Sequence, residues 1–247
     1  MIKATPVNMG EDRVFQVLLR LGAPAMISMF FETLYALVDT IFVAQLGTIP
    51  LAAMSLALPL FFIGMALSKG IAVGAMAMMS HARGRENQAE VEKVARAVYP
   101  LAFLAIGGLL FFALPGCGRS FFALFDQNPV LLHETAAYTR WLALSFPGLA
   151  WALVCEAVLF SHGDTKTPML AMIAGNLLNM VLDPLLIFSC GLGIGGASLA
   201  SLLGWLLSGL IMWRALVKKG LARPALKISR EFLPTWSQIV GLGAPVA

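Results

Sequence analysis

The stretch GNLLNMVLDPLLIF, Gly175–Phe188, is apolar enough to lie in a bilayer, yet it holds Asn176, Asn179, Asp183 and, directly after the aspartate, Pro184. A charge at the bilayer centre costs roughly 2.5–3.5 kcal/mol on insertion scales, so such a residue needs a reason. At about 100° per residue, Asn176, Asn179 and Asp183 fall within about 60° of one another on a helix. They form one polar stripe on an otherwise apolar cylinder. Pro184 has no N–H, so the carbonyl of Met180 loses its helical partner. A free carbonyl at membrane depth is tolerated only against protein or a wet cavity. The stripe therefore offers carboxylate, amide and carbonyl oxygens together, a set that suits a proton or a small cation. The competing reading is a polar cluster that glues helices together.

Composition gives the solvent. The chain has 247 residues, 59% hydrophobic and 12% charged, with mean hydropathy +0.84. A soluble domain carries about 25% charged residues, so the bilayer is the solvent and an all-α membrane protein is expected. The net charge of +4 does not point to nucleic acid, because the basic residues cluster in alternate loops. Cys117, Cys155 and Cys190 have no framework or metal spacing and read as small buried hydrophobes. The polar start MIKATPVNMGEDRVFQ lacks an apolar signal core.

Six long apolar segments follow, at about 14–46, 51–80, 94–114, 131–160, 169–189 and 197–217. Each has the roughly 20 residues needed to cross the hydrocarbon as a helix. A seventh begins near Leu233 and is cut at Ala247, so the chain reads as a piece of a longer protein. Residues 1–13 form a cytoplasmic N-terminus, 14–217 a six-helix bundle, 218–232 a basic linker, and 233–247 the start of a second bundle. Lys and Arg gather before the first segment, after the second (Arg83, Arg85, Lys93, Arg96), after the fourth (Lys166) and after the sixth (Lys218, Lys219, Arg223, Lys227, Arg230). The other side has Arg119 and Arg140. Positive charge marks the cytoplasmic side, so the N-terminus is inside. LGAP occurs at Leu21–Pro24 and again at Leu242–Pro245, each time opening an apolar helix from the same side. That is the pattern of a parallel duplication.

The first segment repeats the polar geometry: Glu32, Tyr35 and Asp39 stand at i, i+3 and i+7. Two acids on one face, opposite a third on another helix, suggest a proton or cation relay. Lys69 and Glu156 are further intramembrane charges, with Lys69 a candidate counter-ion for one of the acids. His81 reads as interfacial. Gly191, Gly193 and Gly196 match G-x-G-x-x-G, but no strand precedes them, so the stretch reads as a tight outer turn. Gly196, Ala200, Gly204 and Ser208 form a small-residue ridge for close packing, as do Gly70 and Gly74.

These motifs resemble the multidrug and toxic compound extrusion (MATE) transporters, within the multidrug/oligosaccharide-lipid/polysaccharide exporter superfamily. LGAPAMISMFFETLYALVDTIFVAQLGTIPLAAMSLALPL is similar to the family's first helix and the entry to its second, GDTKTPM (Gly163–Met169) to its loop before helix five, and NLLNMVLDPLLIF with GIGGASLAS to helix five and the start of helix six. The resemblance implies two six-helix bundles in an inner membrane, of which this chain holds the first. It implies export of amphipathic, often cationic small molecules, driven by inward Na⁺ or H⁺, with no cofactor. It further implies that the coupling cation sits at Asp39, Asn179, Asp183 and Ser201, with Na⁺ possible at Asp39, Asn179 and Asp183. Glu32, Tyr35, Asn176, Lys69 and Glu156 are then candidates for the substrate cavity or a relay, and Pro24 and Pro184 for helix bends. Ser201 stands where the family has Thr, Glu32 where it often has Gln or Asn, and Ala36 where Asn is common. The alternatives are a lipid-linked oligosaccharide flippase of the same superfamily, an intramembrane aspartyl protease using Asp39 and Asp183, and an ion channel.

Overall fold

The computed structural model describes residues 14–222 and 229–245; within the first helix, the side chains of 14–21, 24 and 25 lie outside the described set. The LGAP copy at Leu21–Pro24, including the expected bend at Pro24, therefore falls largely beyond what can be described, and so does residue 1–13.

Helix α1 (Val14–Gln45) turns at Gly47 into α2 (Thr48–Gly84), which is followed by α3 (Gln88–Gly107). A 3-10 turn, Gly108–Ala113, continues α3 outward to a short helix α4 (Cys117–Phe122). Then come α5 (Pro129–Ser161), α6 (Lys166–Pro184), a π-helical turn Leu185–Ser189, α7 (Ile194–Lys218) and α8 (Leu233–Gly243). Among the described residues, six of these helical stretches are long and apolar enough to cross a membrane. They match the six expected segments, making the chain a multi-pass membrane protein. The short outer helix α4 was not expected: its six residues are too few to show a period.

Local signals set the helix ends. Asn87 Oδ1 accepts the Glu90 N–H at 3.1 Å while Glu90 Oε2 accepts from Asn87 Nδ2 at 3.1 Å, a reciprocal cap on α3. Asn128 Oδ1 accepts from Val130 N–H at 3.0 Å, and Pro129 supplies the preset first turn of α5. Pro184 ends the α-helical run of α6. The next turn widens to π, with Cys190 N–H donating to the Leu185 carbonyl at 2.8 Å. Cys190 consequently sits exposed at the outer turn and Cys117 is half-buried; only Cys155 is the buried hydrophobe that all three were expected to be.

α5 is the axis of the bundle: 78% of its most apolar stretch is buried, against 11% for α1. It packs on α7, α2 and α3, while α6 lies between α7 and α1. The outward faces carry residues such as Phe62, Leu104, Leu170 and Val181, which suit hydrocarbon. α6 and α7 touch backbone to backbone. A Cβ on Gly175 would meet the Gly204 carbonyl at 2.6 Å and Ser208 Oγ at 2.0 Å, and Ser208 Oγ donates to the Ala171 carbonyl at 3.0 Å. The expected small-residue ridge of α7 is thus what brings α6 close. The Gly70/Gly74 pair serves α2 the same way, but its partner is α8: a Cβ on Gly74 would lie 2.1 Å from the Ile239 carbonyl. Trp236 Nε1 donates to the Ala97 carbonyl of α3 at 2.8 Å. α8 therefore runs antiparallel to α2, with Ile239 beside Gly74 and Gly243 beside Gly70.

The basic ends meet where the charge pattern places the cytoplasm. Lys219, just past α7, pairs with Asp164 between α5 and α6, and Asp164 also accepts from the Thr167 N–H at 3.0 Å and Thr167 Oγ1 at 2.6 Å. Arg83 Nη1 donates to the Ser161 carbonyl at 3.0 Å. The ends of α2, α5 and α7 are tied together there. His81 is exposed beside this layer, as an interfacial residue would be.

Candidate cation site and its charged neighbour

The stripe on α6 points inward. Asn176, Asn179 and Asp183 are all buried, Asp183 with 0% of its surface exposed. Asp39, near the outer end of α1, is buried, with 5% of its surface exposed. The two helices are in contact, and Asp39 lies within electrostatic reach of Asp183 across the α1–α6 contact. Asn179 Nδ2 donates to Ser201 Oγ of α7 at 3.3 Å. Asp39, Asn179, Asp183 and Ser201 thus converge, each carried by an element whose packing was described above.

What remains unpaired matters most. Asp39 Oδ1, both carboxylate oxygens of Asp183 and Asn179 Oδ1 are buried without a hydrogen-bond partner. All four are acceptors when the acids are ionised. Acceptors left alone in a low-dielectric interior are costly, and two negative charges facing each other there need a proton or a cation between them. Hard oxygens of this type suit Na⁺ as well as H⁺. Among the described residues, no group of three His, Cys, Asp or Glu gathers as a transition-metal site would.

Two members of the cluster have no counterpart in the sequence reading. Tyr138 of α5, buried, lies within electrostatic reach of Asp39, Tyr35 and Asp183, and Ser198 of α7, also buried, lies next to its hydroxyl. Ser198 precedes Ser201 by one turn, and Thr135 precedes Tyr138 by one turn. Those spacings were the available signal, but hydroxyls in apolar helices are common enough to pass as packing residues.

Tyr35 sits near Ser201 and between the two acids of α1. Glu32 does not join Asp39. It lines a separate cavity of about 170 Å³ with Lys69 of α2 and Glu156 of α5. Tyr35 stands between the cavity and the cluster, within electrostatic reach of Glu32, Asp39 and Asp183. Lys69 faces Glu32 and Glu156 rather than Asp39 or Asp183. Asn176 is buried near the cation cluster with its Nδ2 unpartnered.

Comparison with known proteins places this geometry. The family model MatE matches residues 24–185. The FAD transporter of Shewanella oneidensis is 30% identical over 242 residues, covering 94% of this chain and 52% of that protein. The multidrug export protein MepA of Staphylococcus aureus is 26% identical over 193 residues, covering 77% of this chain and 42% of that protein. A solved outward-facing multidrug resistance MATE family transporter of the MOP superfamily superposes with a TM-score of 0.81 at 31% identity, covering 93% of this chain and 51% of that one. The chain spans about half the length of the curated relatives it matches. With its helices and inward-facing acids arranged as described, and the family model matching 162 of 247 residues (24 through 185), the chain belongs to the MatE family.

Proposed function

We propose that this chain is the first bundle of a cation-coupled exporter of amphipathic or cationic small molecules, completed by a second six-helix bundle in a cell inner membrane. The observation that carries the proposal is the set of orphaned acceptors at Asp39, Asn179 and Asp183, buried where α1, α6 and α7 meet. A Na⁺ or H⁺ bound there joins α1 to α6. A ligand shifts a conformational equilibrium only through its different affinity for the two states. α1 is the helix least held by the rest of the bundle, so it is the element such a ligand would bias. Tyr35, in electrostatic reach of Asp39, Asp183 and Glu32, then carries that change toward the cavity on the cytoplasmic side of Asp39.

The relatives named above include a multidrug exporter, which supports the reading, and an FAD transporter, which leaves substrate breadth to be measured. The two acids are accompanied by Asn179, Ser201 and two tyrosines, which suits ion coordination better than peptide cleavage. The test is efflux of a fluorescent cation from proteoliposomes containing the two-bundle protein under an imposed Na⁺ or H⁺ gradient. Efflux that follows one gradient and stops when an ionophore collapses it is expected. Conductance without substrate exchange, or translocation of lipid-linked sugars in place of the cation, would replace this reading with a channel or a flippase.

A further inference from the structure

The outer end of the bundle carries a recess that the transport function proposed above does not use. It lies between the turn after α3, the start of α4 and the first half of α5, and its volume is about 310 Å³. Its α5 wall is one helical stripe: His133, Ala136, Ala137 and Arg140 stand at i, i+3, i+4 and i+7. Two alanines between two long polar side chains leave the hollow. The facing wall, from Phe112 to Gly118, is apolar. Gly118 presses on α5, where an added Cβ would lie 3.0 Å from Thr139 Oγ1, and this close contact sets α4 beside the recess.

Arg140 calls for a partner. Lys and Arg are sparse on this side of the chain, which has only Arg119 besides. Among the described residues, Arg140 makes no hydrogen bond or ion pair. The nearby acids do not supply one: Asp126 Oδ1 accepts the Asn128 N–H at 2.7 Å, and Glu134 stands 4.0 Å from His133 Nδ1 without lining the recess. The lining therefore holds one fixed positive charge, the Arg140 guanidinium, with the His133 ring as a second hydrogen-bonding group. Its complement is a group with one negative charge and several acceptor oxygens.

Depth selects the kind of anion. Ser161 is tied to Arg83 in the basic cytoplasmic layer, and from there α5 rises about 32 Å to Arg140. The hydrocarbon is about 30 Å thick. Arg140 thus stands at the outer edge of the hydrocarbon, at the level of lipid phosphates, and His133 lies about 10 Å further out. The surroundings are apolar. Phe111, Phe121, Leu124 and Phe125 are exposed, and Phe112 and Phe121 pack edge to face at 5.1 Å. One turn inward from Arg140, Leu144 is exposed as well. Such a rim offers nothing to a phosphate arriving from water, but it suits an acyl chain.

We propose that this recess binds a monoanionic phospholipid of the outer leaflet, with its phosphodiester on Arg140, its head group over Ala136 and Ala137 toward His133, and an acyl chain along Leu144.

The test counts lipids held by the purified two-bundle protein, by native mass spectrometry from micelles. The probes are phosphatidylglycerol, phosphatidylcholine with the same chains, and inorganic phosphate. The basic cytoplasmic ends also attract anionic lipid, so the readout is the difference between wild type and variants. Wild type holds one phosphatidylglycerol that Arg140→Gln binds about tenfold more weakly, the scale of one charge-assisted hydrogen bond. Arg140→Lys retains it. Arg119→Gln, which leaves the recess lining intact, retains it too. Ala137→Leu fills the hollow without touching a charge, so it weakens binding even if Arg140→Gln fails to fold. Equal binding by wild type, Arg140→Gln and Ala137→Leu overturns the proposal. So does an equal loss in Arg119→Gln, which means a diffuse positive surface. Phosphatidylcholine bound as tightly as phosphatidylglycerol, or phosphatidylglycerol displaced by an equal concentration of inorganic phosphate, overturns it as well. Efflux is no part of this readout, so failure of the exporter reading leaves the lipid site standing.

Discussion

Asp39 and Glu32 sit on the same face of α1, seven residues apart, yet they face different partners. Asp39 lies within electrostatic reach of a second carboxylate, Asp183; Glu32 lines a cavity with Lys69 and Glu156. Their substitutions should therefore differ. Asp39→Asn keeps size and hydrogen bonding but cannot balance a cation, so gradient-driven efflux should fall to background in folded protein. Glu32→Gln leaves the cation cluster whole and should retain coupling while changing which substrates are carried. Ser201→Ala removes the acceptor of a long hydrogen bond from Asn179, so a loss of only about 0.5–1.5 kcal/mol in thermal stability is expected. At the cytoplasmic face, burial pushes the Asp164 carboxyl up, but hydrogen bonds from Lys219 and Thr167 outweigh it and hold it below the ordinary carboxylate range. A depressed folded-state value contributes stability above the unfolded value, near pH 4, and that contribution is lost as pH falls through the folded one. Thermal unfolding of purified protein between about pH 6 and pH 3 should show this loss in wild type, and Asp164→Asn should flatten that part of the profile. Burial, with Arg83 and Lys219 nearby, holds His162 below its ordinary value, so it stays neutral at pH 7 and adds its own loss of stability as pH falls below about 6.5, a part that Asp164→Asn leaves in place. At this scale the sequence was informative where a residue type is expensive in its surroundings. Asp39, Asn179 and Asp183 announced themselves by being polar in apolar helices. Tyr138 and Ser198 did not, because a phenol and a hydroxyl are cheap to bury.

The site holds its shape because α6 and α7 approach as closely as their backbones allow. Gly175→Val would press into Ser208 Oγ and the Gly204 carbonyl, separating the helices that carry Asn179 and Ser201. Overpacking of this kind costs about 1–3 kcal/mol. A lower unfolding temperature and weakened coupling are expected from Gly175→Val. Gly108→Ala, where a Cβ meets nothing within 4 Å, should shift stability by less than about 0.5 kcal/mol. The α7 ridge was legible from its four-residue spacing. Its partner Gly175 was hidden at the edge of the stripe, since one glycine carries no period. Pro184 signalled a break, but not that the next turn would widen to π, because proline removes a donor without dictating how the following carbonyls are satisfied.

For the whole molecule, alternating loop charge fixed orientation, and the helices meet their basic ends on one side as that pattern requires. Which helix takes the centre could not be read from hydropathy, since all six segments are similarly apolar. α5 is central because small residues let its neighbours close around it: Gly148 against Leu206 of α7, and Gly64 of α2 against Phe146. α1, by contrast, is largely exposed along its most apolar stretch and is held mainly through α6, at the cation cluster. The central claim is that the buried carboxylate of Asp183 links ion binding to movement of α1. Asp183→Asn tests it most directly. The packing of the stripe should survive, with thermal stability unchanged or raised by about 1 kcal/mol, because a costly buried acid is removed. Gradient-driven efflux of a fluorescent cation from proteoliposomes should be lost in that folded variant. Wild-type efflux rates under the same Na⁺ or H⁺ gradient would contradict the account and leave Asp183 a helix-packing residue.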